Sequence, residues 1–204
     1  MNAIDKIWET NKDISGFAGK YFEYLFSVLK SLDTTALVAL EIELEDARAN
    51  GNTIFVAGNG GSASTATTMA NDLGFDVFKK TRIDKPFKIF AITDNTSAIT
   101  GISNDVGYEN VFLGQLQIHY KAGDKIIVIS ASGNSPNAVK AAEWVKSKGG
   151  KVIGFLGFQG GKLREICDVV VHVKTEAGEY GPVEDAHLII NHVLAHWFQN
   201  KLKK

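Results

Sequence analysis

Cysteine is nearly absent from this sequence: Cys167, in "LREICDVVVHV", is the only one. One thiol forms no internal disulfide and makes no metal cluster. It is expected to behave as a small buried hydrophobe. An excess of either charge is missing too, with 22 Lys and Arg against 23 Asp and Glu and a net charge of -1. That balance gives no electrostatic footprint for nucleic acid or an anionic membrane. No apolar run approaches the roughly 20 residues of a membrane span. The start, "MNAIDKIWETNKDISG", has no secretory apolar core, so the expectation is a cytoplasmic protein. Linkers, low-complexity segments and a solenoid period are also lacking, so residues 1–204 are expected to form one domain.

What is present is ordinary for a soluble α/β domain, with 45% hydrophobic residues and a core of useful size. Residues 1–50 read as helical. "GKYFEYLFSVLKSL" spaces Tyr21, Phe22, Leu25, Phe26 and Leu29 by three and four, which makes one wide apolar face. In "DTTALVALEIELEDARANG", Asp33 or Thr34 suits the helix start and Asn50-Gly51 its end. Residues 51–204 change pattern. The apolar runs "TIFVAG", "FKIFAIT", "KIIVIS", "KVIGFL" and "DVVVHV" alternate with helix-like segments. Continuous apolar strands between helices predict a parallel sheet covered on both faces. Five of them predict a five-stranded, doubly wound, flavodoxin-like α/β fold with an N-terminal helical extension. A last helix is expected from about Pro182 onward.

Ligands of such sheets bind beyond the carboxyl ends of the strands. Two loops there are chemically alike, "AGNGGSAS" after the first strand and "SASGNSPN" after the third. Glycine lets backbone approach a ligand, and N–H groups at a helix start favour an anion. Ser62, Ser130, Ser132 and Ser135 can each donate a hydroxyl hydrogen bond. The plain alternative is a pair of turns with serine caps. A dinucleotide is another, since Gly58 to Ala63 fits G-x-G-x-x-A. The ribose-binding acid belongs roughly 20 residues further on, yet the next strand ends late, at Thr93-Asp94. The serine-rich loop also has no part to play with a dinucleotide.

These loops, with "GISNDVGYENVF", "GFQGGKLREICDVVVHV" and "VEDAHLIINHV", resemble the SIS (sugar isomerase) domain family. Within it the chain is similar to the sedoheptulose 7-phosphate isomerases, from about Lys20 to Trp197. The resemblance implies a SIS fold whose N-terminal helices build a homotetramer with sites at subunit interfaces. It implies that Asn59, Gly60, Gly61, Ser62, Asn104, Asp105, Ser130, Ala131, Ser132 and Ser135 contact the phosphosugar, with the serine loop on the phosphate. The family's proton-transfer carboxylate falls on Asp72, where most members have Glu, and its histidine on His192. A divalent metal, commonly zinc, often sits beside them. Its other ligand positions fall on Thr68, usually His, and on Glu184, usually Gln. A metal here would therefore rest on Asp72, Glu184 and His192, with Thr68 a poor zinc ligand beside imidazole. No organic cofactor is implied.

On the last helix, at about 100° per residue, Glu184, His187 and Asn191 form one stripe, and His192 lies roughly 80° from Glu184. Asp72, before Leu73-Gly74, reads as a residue at a helix C-terminal end, an unfavourable place for an anion. The implied activity is aldose–ketose isomerisation of sedoheptulose 7-phosphate to D-glycero-D-manno-heptose 7-phosphate through an enediol, with Asp72, His192 and Glu184 catalytic. The alternative is a non-catalytic SIS module of the replication-initiator-associated type, binding a phosphosugar or a protein partner. The carboxylate–histidine pair is the feature that separates the two.

Overall fold

The computed structural model describes residues 1–203. Three helices open the chain: α1 (Ala3–Thr10), α2 (Ile14–Lys30) and α3 (Thr34–Asn50). Asp33 starts α3, its carboxylate accepting from Thr35 N–H at 2.9 Å, and Gly51 ends it. The sheet follows, built from β1 (Thr53–Gly58), β2 (Lys88–Ala91), β3 (Lys125–Ser130), β4 (Lys151–Gly157) and β5 (Val169–Val173). Its order is β2-β1-β3-β4-β5, and every pairing is parallel. That is the doubly wound order, with its switch point between β1 and β3. The second strand is shorter than "FKIFAIT" suggests.

Side chains alternate across each strand, and the two faces build two cores. Ile54, Val56, Ile127, Ile129 and Phe155 face one way, with Leu40 and Leu44 of α3. Phe55, Ala57, Ile126 and Val128 face the other, with Phe112, Leu116 and Val145. A buried side chain of this size contributes about 1.5–3 kcal/mol, so the sheet is well anchored. The connecting helices are α4 (Gly61–Met69), α5 (Val77–Thr81), α6 (Thr96–Val106), α7 (Val111–His119), α8 (Pro136–Ser147), α9 (Leu163–Ile166) and α10 (Tyr180–Lys201). No helix among the described residues is long and apolar enough to cross a membrane.

One helix departs from the sequence reading. After α4 the chain does not stop near Leu73-Gly74. It widens into a π-helical segment, Ala70–Asp76, and runs on into α5. Asp72 therefore sits within a continuous helical rod rather than at its end, and the expected clash with a helix dipole does not arise. π-helical turns are rare and recur at functional sites.

Candidate active site

The glycine and serine loops lie side by side at the carboxyl ends of β1 and β3, neighbouring strands. A reciprocal amide pair joins them. Asn59 Nδ2 donates to Asn137 Oδ1 and Asn137 Nδ2 donates back to Asn59 Oδ1, both at 2.9 Å. Asn59 Oδ1 also accepts from the Tyr108 hydroxyl at 2.8 Å. The Asn59 side chain is thus spent on fixing the two loops together. Asn137 and Tyr108 carry no signal in the sequence that marks them for this role.

The serine loop is tightly folded. The Ser130 and Ser135 hydroxyl oxygens lie 3.2 Å apart, and Gly133 N–H donates to Ser130 Oγ at 3.1 Å. Asn134 N–H donates to Ser132 Oγ at 3.2 Å. Gly133 has φ +67°, and a Cβ there would sit 1.8 Å from the Gly160 carbonyl oxygen, so only glycine fits. Ala131 is buried at the strand end. Ser135 occupies the N-cap position of α8, yet its side chain makes no cap hydrogen bond. The start of α4 has no side-chain cap either, and Ser62 is buried in its first turn. Two uncapped helix starts beside each other suit an anion better than the plain reading of serines as caps. Gly60 is exposed on the loop. Asn104 and Asp105 stand exposed late in α6, with Asn104 Nδ2 donating to Asp105 Oδ1 at 2.8 Å. They bond to each other and to none of the other site residues.

α10 and the π-helical segment bring the titratable groups together. His192 Nε2 lies 3.7 Å from Asp72 Oδ2, the imidazole side chain 53% exposed and the carboxylate 15%. Asn191, fully buried, donates from Nδ2 to the same Asp72 oxygen at 2.7 Å. Asn71 Nδ2 donates to Oδ1 at 3.1 Å. Glu184 reaches the glycine loop. A Cβ on Gly61 would lie 2.2 Å from Glu184 Oε2, so glycine makes room for this carboxylate. Burial, and then the charge of Asp185, raise the Glu184 carboxyl above its ordinary range. Tyr21 of α2 donates to Asp185 Oδ2 at 2.5 Å, tying the N-terminal helices to the first turns of α10. His187 does not turn toward Glu184. It is fully buried and its Nε2 donates to the Leu156 carbonyl at 3.3 Å. Cys167 lies apart from all of this, its thiol pushed up to about 12 by burial.

The residues present do not make a zinc site. Among the described residues no three of His, Cys, Asp and Glu converge as a ligand set. Thr68 turns its hydroxyl back into its own helix, donating to Ser64 O at 3.0 Å. What the arrangement offers is a carboxylate, an imidazole and, against the glycine loop, a second carboxyl whose pKa burial raises. Such a set can move protons.

Comparison with known proteins gives a consistent picture. The SIS domain family model matches residues 20–157. The phosphoheptose isomerase of Aneurinibacillus thermoaerophilus is 37% identical over 168 residues, covering 82% of this chain and 79% of that protein. Phosphoheptose isomerase 2 of Campylobacter jejuni is 37% identical over 169 residues, covering 82% and 81%. Among solved structures, the phosphoheptose isomerase of Neisseria gonorrhoeae superposes with a TM-score of 0.82 at 24% identity, over 92% of this chain and 100% of that one. The Francisella tularensis enzyme gives 0.79 at 23% identity, over 98% and 100%. At these identities the superpositions speak for the fold.

Proposed function

The chain belongs to the SIS domain family, and from that premise we propose that it interconverts sedoheptulose 7-phosphate and D-glycero-D-manno-heptose 7-phosphate. It is a phosphosugar isomerase of the aldose–ketose type, in line with relatives named phosphoheptose isomerase. The observation that carries the residue roles is the approach of His192 to Asp72, 3.7 Å apart on two different helices.

The chemistry follows from those positions. Asp72 removes a proton from C1 of the ketose. The electron pair left behind forms the C1–C2 double bond of an enediol, and the C2 oxygen takes a proton from His192. Return of the first proton to C2, with loss of the O1 proton to His192, leaves an aldehyde at C1. One carbon is oxidised as its neighbour is reduced, so no organic cofactor enters. Glu184, its carboxyl raised by burial, assists as an acid near the sugar hydroxyls. Ser130, Ser132 and Ser135, with the backbone of the serine loop, hold the phosphate. Asn59, Gly60, Gly61, Ser62 and Ala131 shape the cleft, and Asn104 with Asp105 stands at its rim. Anchoring one end orients the other, a large part of the rate.

The working unit in this reading is a cytoplasmic homotetramer. Phe22 and Phe26 of α2, Val38 and Ile42 of α3, and Val193 and Trp197 of α10 are all exposed on the single chain. That much apolar surface marks association. A partner across α10 would also cover His192 and complete the site. The test is incubation with a panel of ketose phosphates and detection of aldose phosphate. Conversion of sedoheptulose 7-phosphate supports the reading. Binding without conversion would point to the non-catalytic module instead.

A further inference from the structure

We propose that Asn191 is the positioning residue that holds the Asp72 carboxylate in its working orientation, in the place where a metal would otherwise hold it. The proposal rests on the isomerase reading above. Asn191 is a fully buried amide on a helix whose other inward positions include Val183, Ala186, Ile190, Leu194 and Phe198. Leucine would fill such a position without any polar cost. The amide does carry a cost. Its Nδ2 has a partner, Asp72 Oδ2 at 2.7 Å, but its Oδ1 is buried with none. An unpaired buried carbonyl destabilises a fold, so the single bond to Asp72 is what the residue contributes. Turning the amide over would set Oδ1 against a carboxylate oxygen, two acceptors facing each other. The donor orientation is therefore fixed by Asp72 itself.

The placement fits a positioning role. Consecutive residues of α10 address one oxygen, Asn191 at 2.7 Å from the buried side and His192 at 3.7 Å from the exposed side. Asn71 holds the other oxygen, from a side chain open to water. The Asn191 bond is the more sheltered of the two, its donor fully buried, and a hydrogen bond with little access to water is a strong one. It fixes the plane of the carboxylate on the π-helical segment. It also leaves the face of Oδ2 toward His192 as the one that meets substrate. The Asn191 N–H occupies one lone pair of Oδ2, and Thr68, its hydroxyl turned back to Ser64 O, adds no imidazole that would complete a zinc set.

The experiment compares Asn191→Leu and Asn191→Asp, each alone and combined with Asp72→Asn, using sedoheptulose 7-phosphate with chelator present. In Asn191→Leu, kcat is expected to fall by about tenfold to a hundredfold with KM held within about twofold. Asn191→Asp keeps the shape but replaces the donor with an acceptor, so its kcat should fall further. Neither change should cost turnover in the Asp72→Asn background. A normal kcat in Asn191→Leu or Asn191→Asp would overturn the proposal, as would an equal loss in both backgrounds, or wild-type turnover that requires added metal. A readout independent of turnover is the Asn191 side-chain amide signal in NMR of deuterated protein. It should move in Asp72→Ala, with faster exchange of its protons; an unmoved signal overturns the proposal even if Asn191→Leu fails to fold. Should the wild type convert no ketose phosphate, the isomerase reading fails by itself, and the amide signal still decides whether Asn191 holds Asp72.

Discussion

Two histidines one and a half turns apart on α10 live in opposite surroundings. His192 stands beside Asp72, half exposed, whereas His187 is fully buried and packs edge-on against Phe155, ring centroids 5.6 Å apart. Burial lowers His187 from its ordinary 6.5 to about 4. The folded state thus refuses a proton that the unfolded chain accepts. Between about pH 6.5 and about pH 4 the unfolded state binds more protons, so stability rises with pH across that window. The contribution is complete above about 6.5 and is lost as pH falls toward 4. Replacing His187 with Gln, which keeps a donor for Leu156 O, should flatten this part of the profile. Urea midpoints of the two proteins from pH 7 to pH 4.5 would check it, and parallel curves would refute it. The stripe spacing of Glu184, His187 and Asn191 is legible in the sequence, but the fates of its members are not. Which residue meets a backbone carbonyl, which a carboxylate and which the glycine loop depends on partners from β4, the π-helical segment and α4.

Among the elements, the five strands are the most legible, because buried parallel strands must be apolar throughout and the helices between them must not be. β2 ends at Ala91 because the chain turns at Ile92 and Thr93, although Ile92 N–H still donates to Val56 O at 2.9 Å. The π-helical segment has no signature that periodicity can detect, and it is the element that carries Asp72 to α10. The serine loop is legible by composition and gains meaning from its geometry, since Ser135 stands at an N-cap position without capping. If the loop holds phosphate, Ser132→Ala should weaken sedoheptulose 7-phosphate binding roughly tenfold or more, from the loss of a bond to a charged oxygen worth about 1.5–3 kcal/mol. The thermal midpoint should stay close to wild type, since Ser132 is only partly buried. Calorimetry showing unchanged affinity would take this loop out of the site.

At the scale of the whole molecule, the apolar face of the N-terminal helices is legible as a surplus. Part of it serves the chain itself, with Val28 buried and Leu29 packed against the core, while Phe22 and Phe26 are 65% and 58% exposed. A second, mostly apolar groove lies between α3 and α10, lined by Leu37, Val38, Glu41, Val193, Leu194 and Trp197. Light scattering at micromolar concentration should give four chain masses, and Phe22→Asp with Phe26→Asp should lower the mass and the turnover together. A monomer with full activity would contradict the shared site.

The proposed proton transfer on a ketose phosphate stands or falls with Asp72 and His192. The most direct measurement follows sedoheptulose 7-phosphate by NMR with wild type, Asp72→Asn and His192→Ala, with binding measured in parallel. Aldose heptose 7-phosphate is expected from the wild type, with turnover lower by about two orders of magnitude or more in each variant and binding retained in all three. Full turnover in Asp72→Asn, or a wild type that binds the sugar and converts none, would contradict it.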